Sequence, residues 1–120
     1  MEKTDFLYQK FIKLLNNKDH YKAYLMVDSE VEDYLIDYED FNELFLETEN
    51  ILKSKVKEAE KLVENNRFDE GLEILNSIPL FTGVSSLISK FKDLKEKFLK
   101  EQEEQEKHQA YLNRKLQLLL

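Results

Sequence analysis

Hydrophobic residues recur along this chain at steps of three and four, the period of an amphipathic α-helix. Phe6, Leu7, Phe11, Leu14 and Leu15 fall on one face and predict a first helix that ends near Asn16-Asn17. Tyr24, Val27, Val31, Leu35 and Tyr38 carry the spacing onward. Within that stretch Ser29-Glu30-Val31-Glu32 has the form of a capping box, which would divide a single helix into two short ones. Asp40-Phe41-Asn42-Glu43 is a looser version of the same signal. It opens a long helix whose apolar face runs from Phe41, Leu44 and Phe45 through Thr48, Leu52 and Val56 to Ala59 and Leu62, ending about Asn65-Asn66. A short helix from Asp69 to Ser77 stops before Pro79, because proline lacks an amide donor and disfavours helix in the residue before it. Thr82-Gly83 then forms a loop, and a last helix runs from about Ser85 towards the C-terminus.

That last helix carries the clearest functional signal. Val84, Leu87, Phe91, Leu94 and Phe98 are spaced as a heptad seam of the coiled-coil kind. The register continues through Glu101, Gln105 and His108 to Leu112, Lys115 and Leu119. From Lys100 to Gln109 no residue is apolar, so this stretch can stay helical through i,i+4 pairs such as Lys97–Glu101 and Glu103–Lys107 but has no face to bury. It reads as a helix leaving the body. Beyond it Tyr111, Leu112, Leu116, Leu119 and Leu120 restore an apolar stripe, and grouped exposed leucines mark an interface. Three readings stay open: self-association or partner docking, folding back onto the body, or cover from a further segment of a longer protein.

An internal repeat crosses the pattern. Phe11 to Ser29 reads FIKLLNNKDHYKAYLMVDS, and Ala59 to Ser77 reads AEKLVENNRFDEGLEILNS. The two stretches match at Lys13 and Lys61, Leu14 and Leu62, Asn17 and Asn65, and Ser29 and Ser77, with rings at His20 and Phe68 and small residues at Ala23 and Gly71. Each copy is a helix end, a polar turn and a second helix. Gly71 costs its helix about 1 kcal/mol relative to alanine, so close approach of a neighbour is the expected reason for it. The second copy, Asn65-Asn66-Arg67-Phe68-Asp69-Glu70-Gly71-Leu72, resembles the turn and second helix of a tetratricopeptide repeat, with Ala59 and Gly71 on the family's two small positions. Lys55 and Glu58 stand where the family prefers an aromatic and a leucine, Phe11 replaces the small residue in the first copy, and Pro79 comes early. The family's period of about 34 residues is also shorter than the spacing here. The resemblance implies a helical-hairpin interaction module.

Composition narrows the chemistry. Two glycines, one proline and no cysteine in 120 residues leave little for hairpins or phosphate loops, and nothing for disulfides or thiol chemistry. The only histidines, His20 and His108, lie in a repeat turn and in a solvated helix, and no nucleophile, metal or nucleotide motif accompanies them. No enzyme activity, cofactor or metal is expected. Asp28, Glu30, Glu32 and Glu39 fall in a calcium-loop register, but Asp33 occupies the glycine position and the same residues suit a helix. No stretch is apolar enough to span a membrane and no signal peptide is visible, so a cytoplasmic setting is the default.

Charge is segregated within a net −7. Between Ala23 and Leu52 the only charged residues are acids, ten of them, and all 18 basic side chains lie outside that window. Such a window repels phosphate, and the one dense basic run, Lys90 to Lys100, is interrupted by Asp93 and Glu96, so no nucleic-acid partner is expected. The acidic window holds Tyr34, Asp37, Tyr38 and Glu39 among further aromatics. It is either the solvated side of two amphipathic helices or a docking face for a basic protein segment.

The whole predicts an all-α protein: antiparallel helical hairpins over residues 1–99 and a solvated, leucine-ended helix over 100–120. The expected function is a non-enzymatic protein-interaction or adaptor module. The alternative is a structural subunit that forms a homo-oligomer through its C-terminal helix.

Overall fold

A computed structural model describes residues 3–120 and holds six helices, with no strand among the described residues. They are α1 (Lys3–Asn16), α2 (His20–Met26), α3 (Ser29–Leu35), α4 (Phe41–Glu64), α5 (Phe68–Asn76) and α6 (Val84–Leu119). The all-α expectation and the long protruding last helix both hold. Helices α1 and α2 form one hairpin and α4 and α5 another, with α2 against α4, α3 against α1, and α6 against α5.

The repeat found in the sequence is a repeat of backbone geometry. After α1 the amide of Lys18 donates to the Leu15 carbonyl and that of Asp19 to the Leu14 carbonyl, at 3.0 and 2.9 Å. After α4 the amides of Asn66 and Arg67 donate to the Val63 and Leu62 carbonyls, at 3.0 and 2.8 Å. Both are Schellman closures, which end a helix with one residue in the left-handed region and satisfy two terminal carbonyls. That residue is Lys18 (φ 63°) in the first copy and Asn66 (φ 62°) in the second. Asparagine tolerates this conformation; lysine carries a Cβ strain there with no local side-chain compensation.

Two hydrophobic clusters form the body. Phe11, Ala23, Leu35 and Phe41 make the first, with the Phe11 and Phe41 rings edge to face at 5.4 Å. The second joins Leu52, Ala59 and Val63 of α4 to Leu72 and Leu75 of α5 and to Val84 and Phe91 of α6. Each large side chain buried in these clusters contributes about 1.5–3 kcal/mol. Between them on α4 lies Thr48, buried, with its hydroxyl donating to the Leu44 carbonyl at 2.8 Å. The residue buried at the end of α4 is Val63, with Leu62 only half-buried.

The capping signals were legible to within a residue. Asp28, not Ser29, caps α3, its carboxylate accepting from the Val31 amide at 2.8 Å. Glu30 and Glu32 then lie within the α3 helix, the reading that competed with a calcium loop. Asp40 precedes α4 but makes no capping bond with its side chain. Its carboxylate accepts from the Tyr8 hydroxyl at 2.6 Å, and its backbone is helical (φ −97°, ψ −3°) where a side-chain cap needs an extended residue. The loop between α5 and α6 is pinned to the first hairpin. The Leu80 amide donates to the Tyr21 hydroxyl oxygen at 2.9 Å, and the Tyr24 ring meets Phe81 edge-on at 5.1 Å.

Gly71 is where the second hairpin closes most tightly. A Cβ added there would lie 2.8 Å from Val63 Cγ2 and 2.9 Å from the Ala59 carbonyl oxygen. Alanine gains about 1 kcal/mol of helix propensity. It also drives α5 off a main-chain oxygen that cannot rotate away, and overpacking of this kind costs about 1–3 kcal/mol. The clash outweighs the propensity. Gly71→Ala is expected to lower stability by about 1 kcal/mol, read as a lower urea midpoint with an unchanged slope.

Candidate protein-interaction surfaces

The acidic aromatic window folds so that its rings face their own chain. Tyr38 stacks on Tyr8 of α1 with centroids 4.0 Å apart and planes 5° from parallel. Its hydroxyl donates to Asp5, while the Tyr8 hydroxyl donates to Asp40, so two tyrosine–aspartate bonds cross between α1 and the segment after α3. The Lys3 ammonium sits 4.9 Å from the centre of the Tyr34 ring and 3.6 Å from Glu30. Phe41 is core, and Phe45 stacks on Tyr24 at 6.0 Å. Of the four residues singled out here, Tyr34 and Tyr38 are half-buried, and Asp37 and Glu39 are exposed. What this face offers outward is mainly carboxylate.

The Tyr8–Asp40 bond leaves an electrostatic mark. Tyr8 is held above the ordinary tyrosine pKa, first by its hydrogen bond to Asp40, then by burial, then by the negative charge of Asp40. The folded state thus favours the neutral phenol.

Helix α6 divides into two halves with different surroundings. Its packed face is formed by Val84, Leu87, Ile88, Phe91 and Phe98, with Lys95 half-buried at the edge. The Phe98 ring lies 5.4 Å from Phe68, and Lys95 pairs with Asp69 of α5. Leu94, assigned by spacing to the seam, is 39% exposed and instead lines an open groove of about 380 Å³ between α4 and α6. Positions 84, 88, 91, 95 and 98, all buried or half-buried, follow heptad steps of four and three, and Leu87 packs beside Ile88 on the same cluster.

Carried forward at those steps, the seam meets Gln102, Gln105, Gln109, Leu112, Leu116 and Leu119. None is charged, although residues 99–120 are exposed on every side and acids and bases crowd the other faces. Leu112, Leu116 and Leu119 are 38%, 60% and 76% exposed. Tyr111 and Leu118 lie off the stripe, and Leu120 borders it. The tail does not fold back onto the body. Its helix is supported by Glu103–Lys107, at 3.2 Å, and by the Gln109 amide donating to Asn113 at 3.1 Å. Each such pair is worth a few tenths of a kcal/mol, about 0.2–0.5.

Among the described residues no helix is long and apolar enough to cross a membrane. Comparison with family models, curated proteins and solved structures gives no match to this chain.

A group whose folded pKa is raised stabilises the fold below its ordinary value, about 10 for tyrosine, and loses that contribution as pH climbs through the raised value. Tyr8 is expected to ionise later than an ordinary tyrosine in an NMR titration of its ring. Asp40→Ala should bring its midpoint back down by removing both the acceptor and the charge.

Proposed function

We propose that this chain is a non-enzymatic protein-interaction module, in which a body of helical hairpins holds out the distal half of α6 for another helix. One observation carries the reading: the packed face of α6 continues into solvent as an uncharged glutamine–leucine stripe between charged flanks. A solvated spacer has no need to keep one face free of charge over three heptads, whereas a helix that lies against another does. The Schellman turns and the Ala59–Gly71 approach support a tetratricopeptide-like hairpin body. The carboxylates about Asp37 and Glu39 give the body a negative end that draws basic partners by long-range attraction.

In the adaptor reading the stripe is covered by a different protein. In the alternative it is covered by the same protein, and the charge layout of the tail favours that form, as argued below.

Leu112→Glu with Leu116→Glu tests the reading without unfolding the body, since both side chains are exposed. Helix content and urea midpoint are expected to stay within about 0.5 kcal/mol of the parent. Proteins recovered from an extract on immobilised parent chain, further copies of it included, should be lost on the double variant. Equal recovery on both would overturn the assignment of the tail as the contact element.

A further inference from the structure

We infer that the partner of the α6 tail is the tail of a second copy of this chain, and that the two helices run antiparallel. The inference rests on the interaction reading above and specifies its partner.

Two features of the helix point the same way. The seam from Val84 to Phe98 is already covered by α4 and α5, so only the part beyond Phe98 is open. In a parallel pair both bodies would have to sit between the two helices at the same end, where seam residues of paired helices come into direct contact. An antiparallel pair puts the bodies at opposite ends. Gln102 then lies beside the second copy's Leu119, Gln105 beside its Leu116, and Gln109 beside its Leu112. The partner helix begins to cover the seam where the chain's own body stops.

Charge makes the same choice. Glu101, Glu103, Glu104 and Glu106 outweigh Lys100 and Lys107 in the first part of the tail, which is net acidic, and Arg114 and Lys115 follow further on. Parallel pairing lays the acidic part of one tail along the acidic part of the other. Antiparallel pairing lays it along the stretch that carries Arg114 and Lys115. The glutamine side chains meet leucines through their methylenes and keep their amides at the edge, next to water.

The test uses the full chain. Sedimentation over a hundredfold concentration range should show a monomer passing to a dimer. Leu112→Glu with Leu116→Glu should weaken that association by a hundredfold or more. Raising the salt should weaken the dimer too, because screening removes attractions in the antiparallel pair and would remove repulsions in a parallel one. Orientation is read by disulfide trapping, which starts clean because the natural chain has no cysteine. A mixture of Glu106→Cys and Asn113→Cys chains should give a cross-linked heterodimer, these positions flanking the antiparallel seam. Gln102→Cys alone should not cross-link.

Efficient self-cross-linking of Gln102→Cys, or a dimer strengthened by salt, would overturn the antiparallel pair. A parent chain that stays monomeric throughout would overturn self-pairing. In that event, leucine-dependent capture of other proteins from the extract would leave the adaptor reading standing, and its absence would remove both.

Discussion

Helix α4 has to satisfy two cores at once, and the body is organised by how it does so. Phe41 at its start closes the cluster built by α1, α2 and α3, while Leu52, Ala59 and Val63 build the cluster shared with α5 and α6. A helix can serve both only if its apolar stripe stays on one side for its full 24 residues. The steps from Phe41 through Phe45, Thr48 and Leu52 to Ala59 and Val63 keep it there. Thr48 occupies the passage between the clusters, where a buried hydroxyl is tolerated because it bonds back to its own helix. Around this spine, the α2 tyrosines tie the two halves together: Tyr24 reaches Phe45 on one side and Phe81 on the other.

Much of this was legible in the sequence because helix periodicity is a local property. Most of the helix faces, the Asn-rich turns and the break at Thr82-Gly83 before α6 follow from residues within a turn or two of one another. The repeat was legible as well, though the seat of its left-handed residue was not. That seat is set by which carbonyls the closing amides reach, and it falls on Lys18 although asparagines stand just before it. The displaced caps have a different cause. Asp40 turns its carboxylate to Tyr8, which is distant in sequence, from a helical backbone that does not suit a cap, and no local pattern foretells either.

The register of α6 shows how charge can hide a buried position. Leu87 and Ile88 are adjacent and both apolar, so spacing alone permits either step, and choosing Leu87 leads on to Leu94. The alternative leads to Lys95, which looks wrong for a covered face. It is half-buried at the edge of the packed face, where its ammonium meets Asp69. The acidic window shows contacts that spacing does not carry. Tyr38 lies against Tyr8 and Asp5 of α1, thirty or more residues away, which no local pattern foretells.

Helix α6 passes from body to tail with no glycine or proline after Gly83, so nothing in it acts as a hinge. It accounts for a molecule 86 Å long with a radius of gyration of 23.0 Å, against about 14 Å for a compact chain of this size. Leu119 stands about 31 Å beyond Phe98 at 1.5 Å per residue, so a tilt of ~10° at the body swings the tip through ~5 Å. The arm behaves as a crank and not as a tether. Torque taken up at the leucine tip is delivered to the Phe68–Phe98 contact and the Lys95–Asp69 pair, and from there to the short helix that Gly71 presses against α4.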